Sequence, residues 1–120
     1  MYELEKVPDT NVLLLTAKGK ITDDDYEDVL IPALDSTLEK YDKVRILVHF
    51  GEDYEGIEGD AVWDDTKVGL KHFTHFEKCA VVSDVMWLRR SIKAFGFLIP
   101  GEVKLFYNEE LTAATDWVKQ

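Results

Sequence analysis

The chain has 120 residues, of which 46% are hydrophobic and 14 are aromatic (3 Trp, 5 Tyr and 6 Phe). This composition predicts one folded domain over residues 1–120 and excludes a disordered chain. The net charge is −10, and residues 1–65 alone carry 18 acidic and 6 basic residues, a net charge of −12. Such a surface repels phosphate groups, so the class of general nucleic-acid-binding proteins is excluded.

The sequence indicates neither a targeting signal nor disulfide chemistry. The first ten residues, MYELEKVPDT, have neither the basic start nor the apolar centre of a secretion signal, and no apolar run approaches the ~20 residues that a membrane span needs. We therefore expect a cytoplasmic protein with no membrane span. The single cysteine, Cys79, excludes an internal disulfide and a CxxC zinc site, and its place in the apolar run CAVV predicts a buried, inert thiol.

In the first half of the chain, the predicted elements are a hairpin, a helix and a strand. The alternating segment 2–7 and the apolar segment 11–20 flank the turn residues PDTN, which predicts an antiparallel pair. Thr22 and three following aspartates are typical of a helix start, and apolar residues then recur at helical spacing to position 41. Pro32 predicts a kink in this helix or a late start. Residues 43–50 form a second buried strand.

In the second half, strands and helices alternate. We predict a loop from residue 51, a helix over about 57–74, a strand over 78–83 and a helix capped by Asp84. A strand over 102–107 and a helix capped by Asn108 follow. The order β-β-α-β-α-β-α-β-α requires crossover connections, so the fold class is α/β, with a mainly parallel five-stranded sheet and about four helices.

Three stretches carry a resemblance to a known family. They are GKITDDDYEDVLIPALDSTLEKYDKVRILVHF, AVWDDTKVGLKHFTHFEKCAVVSDVMWLRRSIKAF and EVKLFYNEELTAATDWV. Together they resemble the SpoIIAA-like proteins of the STAS fold, to which anti-sigma-factor antagonists also belong. The resemblance implies a SpoIIAA-like (STAS) domain over nearly the whole chain. The related CRAL-TRIO lipid carriers suggest a small apolar ligand, by analogy of fold alone.

The same resemblance directs attention to the segment after the second buried strand. In the antagonists, a kinase phosphorylates a serine at the start of the next helix. Here residues 51–65 contain no serine and no threonine, and Tyr54 is their only hydroxyl. We therefore expect no phosphoserine switch, and we interpret the many carboxylates of this segment as a solvated acidic loop rather than as a mimic of a phosphate.

The sequence predicts no catalytic, metal or cofactor site. No Ser-His-Asp or Cys-His grouping is recognisable, and the acidic segment lacks the spacing of a calcium-binding loop. His72 and His75 stand three residues apart, but a zinc site needs at least one further ligand.

Two groups of residues are candidates for binding. Trp63 and Trp87 each follow the carboxyl end of a predicted parallel strand, where open α/β sheets bind ligands, with Arg90 as a polar anchor. The alternative is that both tryptophans only pack between helices. Phe97, Leu98 and Ile99 lie between Gly96 and Pro100 in a connection, which predicts a partner-binding surface, most simply a homodimer contact. The alternative is that they cover a sheet edge.

These observations favour a non-enzymatic binding or regulatory module. It would bind a small apolar or amphipathic ligand, or a protein partner. One alternative is a regulator of the anti-sigma-factor-antagonist type without phosphorylation control, and a second is a small enzyme of unknown reaction.

Overall fold

The computed structural model describes residues 2–57, 76–95 and 101–120, which form a five-stranded sheet with helices on both faces. The strands are β1 (Tyr2–Lys6), β2 (Val12–Ile21), β3 (Val44–Ile57), β4 (Phe76–Ser83) and β5 (Glu102–Phe106). They lie across the sheet in chain order. β1 and β2 pair antiparallel, as the predicted hairpin requires, and the other neighbours pair in parallel. The predicted mainly parallel sheet is thus confirmed.

Three helical segments lie within the described residues. α1 consists of a first turn, Asp23–Asp25, a π-helical turn, Tyr26–Leu30, and a regular α-helix, Ile31–Lys40. α2 spans Met86–Phe95, and α3 spans Leu111–Lys119 after a 3-10 turn, Asn108–Glu110. The helix predicted over 57–74 lies outside the described residues, apart from Ile57, which ends β3.

Pro32 explains the irregular first part of α1. Proline has no backbone N–H to donate, so it is tolerated in the first turn of an α-helix, where that donor has no partner in the helix. The regular helix accordingly begins at Ile31 with Pro32 in its first turn, and the residues before it form the π-turn. α1 begins at Asp23 and Leu30 already has helical dihedral angles, so the predicted late start is wrong, and the alternative kink stays a prediction.

The two faces of the sheet carry different helices. Because the strands follow chain order, right-handed crossovers place α1 and α2 on the same face. Leu30, Leu34 and Leu88 from these helices share one buried core with Leu15 and Val81 of the sheet. On the opposite face, α3 packs Ala114 and Val118 against a second core made by β2, β3, β4 and β5, whose sheet residues are Val12, Leu47, Ala80, Val82 and Phe106.

β3 is longer than the sequence predicts. The predicted strand ended at residue 50, but β3 continues to Ile57, so the first seven residues of the predicted acidic loop belong to the sheet. β2 supplies the partner, because it continues past Gly19 to Ile21 and pairs as far as Ile21 with Ile57. A register shift at Gly19, whose φ is 60°, keeps the two strands paired.

The carboxyl end of α3 is held by two cations of the sheet. Arg45 donates to the carbonyl oxygen of Val118 at 3.4 Å, and Lys78 donates to that of Trp117 at 3.1 Å. These bonds reach carbonyl oxygens of the last turn, of which that of Trp117 also accepts the N–H of Gln120 at 3.3 Å, and the positive charges oppose the helix dipole. The indole of Trp117 is half-buried beside Phe106, 6.0 Å between ring centroids. Trp117 thus packs between α3 and the sheet.

Candidate functional site

The carboxyl edge of the sheet brings the start of α2 next to the end of β5. Met86 begins α2 three residues after the end of β4, and Tyr107 directly follows β5. Since β4 and β5 are parallel neighbours, both positions lie at the same edge. A backbone–side chain bond joins them, because the N–H of Asn108 donates to Oδ1 of Asp84 at 3.0 Å.

Arg89 holds this edge together from inside. Its side chain is buried, and Nη1 donates to the carbonyl oxygen of Ser83 at 3.1 Å and to that of Phe106 at 2.8 Å. The guanidinium lies over the ring of Tyr107, 3.8 Å from its centroid. Arg89 thus links the ends of two strands to α2 and fixes the Tyr107 ring by a cation–π contact.

Exposed apolar and basic residues occur on α2 and directly after β5. The exposed fractions are 53% for Met86, 55% for Trp87 and 44% for Tyr107, which are the large hydrophobic residues exposed in the part of the chain that the structure describes. Arg90 is also exposed and lies three residues after Trp87 and four after Met86, so the three side chains are neighbours on the helix. We call Met86, Trp87, Arg90 and Tyr107 the α2 surface.

The charge of α2 contrasts with that of the whole chain. α2 contains Arg89, Arg90 and Lys93 and no acidic residue, whereas the chain has a net charge of −10. Arg90 and Lys93 are exposed, and the two ion pairs formed between described residues, Lys18–Glu3 and Arg45–Glu77, involve neither of them. The α2 surface therefore combines exposed aromatic area with cations that are directed to solvent.

The predicted site residues divide into two groups. Trp87 and Arg90 are both exposed and stand three residues apart on α2, and their predicted ligand-binding role stays a prediction. Trp63 lies outside the described residues, so its predicted crevice with Trp87 stays a prediction. Phe97, Leu98 and Ile99 also lie outside the described residues, and their predicted homodimer contact stays a prediction as well.

Met86, Tyr107 and Arg89 were not predicted as site residues. Arg89 stands beside the exposed Arg90 in the sequence, but it is itself only 7% exposed. The available signal was its spacing, because Arg89 follows Val85 by four residues and precedes Ile92 by three, so it shares their inward side. The exposure of Met86 and Tyr107 depends on the contact between two elements that are distant in sequence, and no local pattern reveals it.

The helix caps also differ from the predicted ones. Asp84 was expected to cap α2, but its carboxylate accepts a hydrogen bond from Asn108, and Oγ of the fully buried Ser83 accepts the N–H of Val85 at 3.0 Å. Before α3, Oε1 of Glu110 accepts the N–H of Tyr107 at 2.8 Å. The Asp84 carboxylate thus ties the α3 start to the α2 start, which stiffens the support of the α2 surface.

Tyr54, the only hydroxyl of the segment 51–65, is part of the core rather than of the surface. Its ring packs edge-on to Phe50 with a centroid distance of 4.8 Å, and its hydroxyl oxygen is buried. A kinase would need this oxygen to be accessible, so the folded chain presents no phosphate acceptor there.

The residues that the structure describes contain neither a metal-binding cluster nor a membrane-spanning helix. Among residues 2–57, 76–95 and 101–120, no group of three or more His, Cys, Asp or Glu side chains is arranged to hold a metal ion. His72 and His75 lie outside these residues.

Cys79 is half-buried instead of fully buried as expected, and it packs against the core beneath α1 and α2. Within the same described part, no helix is long and apolar enough to cross a membrane.

The strand order, the hairpin at one edge and the two helix layers define an α/β fold of the SpoIIAA-like (STAS) type. The chain belongs to the SpoIIAA-like family, whose model matches residues 12–119. A solved structure, an uncharacterised DUF3478-family protein with a SpoIIAA-like fold from Shewanella loihica PV-4, is similar to this chain with 31% identity and a TM-score of 0.77. The similarity covers 98% of this chain and 92% of that one. The search of curated proteins gave no match.

Proposed function

We propose that the protein is a non-enzymatic binding module that contacts a protein partner through the α2 surface. The observation that carries the proposal is the exposure of Met86, Trp87 and Tyr107 beside Arg90. Trp, Tyr, Met and Arg are the residues that protein interfaces enrich, and a few such side chains supply most of the binding free energy.

The support beneath the α2 surface favours a preformed interface. Arg89 fixes Tyr107, and the bond from Asn108 to Asp84 joins the two elements that carry the surface. A partner then loses little free energy to ordering the site, which is the advantage of preorganisation. Membership of the SpoIIAA-like family supports a binding or regulatory role in general, and it is compatible with a regulator that lacks phosphorylation control.

Site-specific photocrosslinking tests this function. A photoreactive amino acid replaces Trp87 in cells that produce the protein, and the matched control carries it at Thr112, an exposed position at the start of α3 on the opposite sheet face. We expect a discrete covalent adduct from position 87 that is absent from position 112 and is lost with Arg90→Glu. The proposal is wrong if the two positions give the same adducts or if position 87 gives none.

A further inference from the structure

The α2 surface changes in character along the axis of its helix. Met86 and Trp87 begin α2, and Tyr107 stands at the same edge of the sheet. Arg90 and the exposed Lys93 follow Met86 by four and seven residues. At about 1.5 Å per residue, these two cations lie about 6 Å and about 10 Å further along the axis. The surface is thus apolar at the carboxyl edge of the sheet and basic one to two helical turns away.

The cations of α2 have no acidic residue on their own helix. α2 contains three basic residues, and the ion pairs formed between described residues include none of them. The buried one, Arg89, donates to two carbonyl oxygens. Asp84 and Glu110 are the acidic residues that bond at the adjoining edge, and they accept the backbone N–H groups of Asn108 and Tyr107. A partner can therefore match the positive charge of α2 with carboxylates.

We propose that the partner contacts the α2 surface with a short acidic segment; this inference rests on the proposed function of that surface. The segment carries a large apolar side chain that packs on Met86 and Trp87. Its carboxylates lie about 6–10 Å from that side chain, the distance at which they face Arg90 and Lys93.

The two halves of the contact have different effects. Removal of the apolar area of Met86 and Trp87 from water supplies affinity. Exposed ion pairs add little affinity, but they speed the encounter and reject segments of the wrong charge. The cations of α2 therefore select an acidic segment among the many segments that carry a large apolar side chain.

An anionic membrane is the other occupant that exposed tryptophan and cations suit. The charge of α1 opposes it, because α1 packs on the same face of the sheet and has seven acidic residues and one basic residue, a net charge of −6. Five of the acidic residues are exposed, namely Asp24, Glu27, Asp28, Asp35 and Glu39. A broad anionic surface that covers this face meets those carboxylates as well as α2. A short segment contacts α2 alone, and salt screens charges beyond about 8 Å.

Selection from a displayed library of random short peptides tests this inference without a bias in charge. The full chain is the bait, and the selected peptides are then synthesised and labelled. We expect them to be acidic and to contain a large aliphatic or aromatic residue. Replacing their Asp and Glu with Asn and Gln should abolish binding, which fluorescence anisotropy measures.

Variants of the chain assign the binding to the α2 surface. We expect Arg90→Glu with Lys93→Glu to raise the dissociation constant of a selected peptide at least about 10-fold, and Trp87→Ala to do the same. Lys119→Glu, an exposed charge reversal at the end of α3 on the opposite face, is the matched control and should leave the dissociation constant unchanged. Circular dichroism confirms that each variant is folded.

Three results overturn the inference. The first is a selection that yields neutral or basic peptides, or none. The second is a selected peptide whose affinity the double reversal of Arg90 and Lys93 leaves unchanged. The third is a wild type that binds vesicles of phosphatidylserine and phosphatidylcholine and loses this binding in the double reversal, because the surface then contacts a membrane.

The photocrosslinking at position 87 separates this failure from that of the proposed function. The crosslinked residue of the partner is mapped by mass spectrometry, and we expect Asp or Glu beside it. An adduct with a protein segment that lacks acidic residues contradicts the inference and keeps the binding module. The absence of any adduct contradicts both.

Discussion

Arg89 is the buried charge on which the candidate site depends. Replacing Arg89 with Met leaves the carbonyl oxygens of Ser83 and Phe106 without their donor. We expect the free energy of unfolding to fall by about 2–4 kcal/mol, because buried acceptors that lose a charged donor keep their desolvation cost. Urea denaturation measures the change. Arg90→Met, which removes the same charge from an exposed position, is the control and should stay within about 0.5 kcal/mol of the wild type. Equal losses in the two variants would contradict the role of Arg89.

Asp25 provides a prediction for pH dependence at the start of α1. Burial raises the pKa of its carboxyl, but Thr22 donates its backbone N–H at 2.8 Å and its hydroxyl at 3.1 Å, and the net result is a pKa below the ordinary value. Because the pKa of Asp25 is lower in the folded state than in the unfolded state, its carboxylate stabilises the fold fully at a pH above the unfolded-state pKa. This stabilisation is lost as the pH falls through the folded value.

We therefore expect Asp25→Ala to lower the free energy of unfolding by about 1 kcal/mol at neutral pH, the usual effect of a lost cap. The difference from the wild type should shrink as the pH is lowered, and it should disappear at a strongly acidic pH at which the wild-type carboxyl is protonated. Urea denaturation at both pH values measures it. Asp24→Ala, at an exposed neighbouring position, should change stability less. A difference for Asp25→Ala that is the same at both pH values would show that the carboxylate charge is not responsible.

Tyr54 carries a prediction about modification. Because its hydroxyl oxygen is buried and its ring packs on Phe50, a tyrosine kinase should leave the folded chain unmodified at this position. The unfolded chain, or a short peptide of the same sequence, is the accessible control. Phosphate mapped to Tyr54 in the folded protein by mass spectrometry would mean that β3 opens in solution.

The entry into β5 offers a test of the packing between elements. A Cβ atom at Gly101 would lie 2.7 Å from the carbonyl oxygen of Glu77 and closer still to that of Phe76, and both are backbone atoms of β4. At Gly51 a Cβ atom would lie 3.2 Å from the ring of His49, which is a side chain that can rotate. Gly101→Ala should therefore lower the free energy of unfolding by about 1–3 kcal/mol, and Gly51→Ala by clearly less. Thermal or urea denaturation measures both, and the opposite order would show that β5 does not approach β4 as described.

At the scale of elements, the sequence predicts those helices and strands that the local spacing of apolar residues determines. The hairpin, the start of α1 after Thr22 and the five strands all follow from short-range patterns. The end of β3 does not, because five of its last seven residues are glycine or acidic, and pairing with the end of β2 holds this part in the sheet. Strand length there is set by a partner about 35 residues away, which a reading of local composition cannot detect.

At the scale of the whole molecule, the sequence predicted part of the candidate site. Trp87 and Arg90 were identified from their place after a parallel strand, a rule of topology that holds without knowledge of side-chain positions. Tyr107 joins them only because Arg89 passes beneath α2 to reach the end of β5. A site that combines two chain segments depends on tertiary contacts. Sequence alone therefore identified the residues on α2 but not Tyr107 after β5.

The most direct test of the binding surface is oxidative footprinting in the producing cells. Isolated, dilute protein exposes Met86 and Trp87 by more than half, so hydroxyl radicals should oxidise both readily. If the α2 surface is occupied, we expect their oxidation in the cell to fall at least about 5-fold, whereas half-buried Trp117 on the opposite face changes little. Mass spectrometry of the digested protein quantifies each residue. Equal oxidation of Met86 and Trp87 in the two settings would contradict a binding function for this surface.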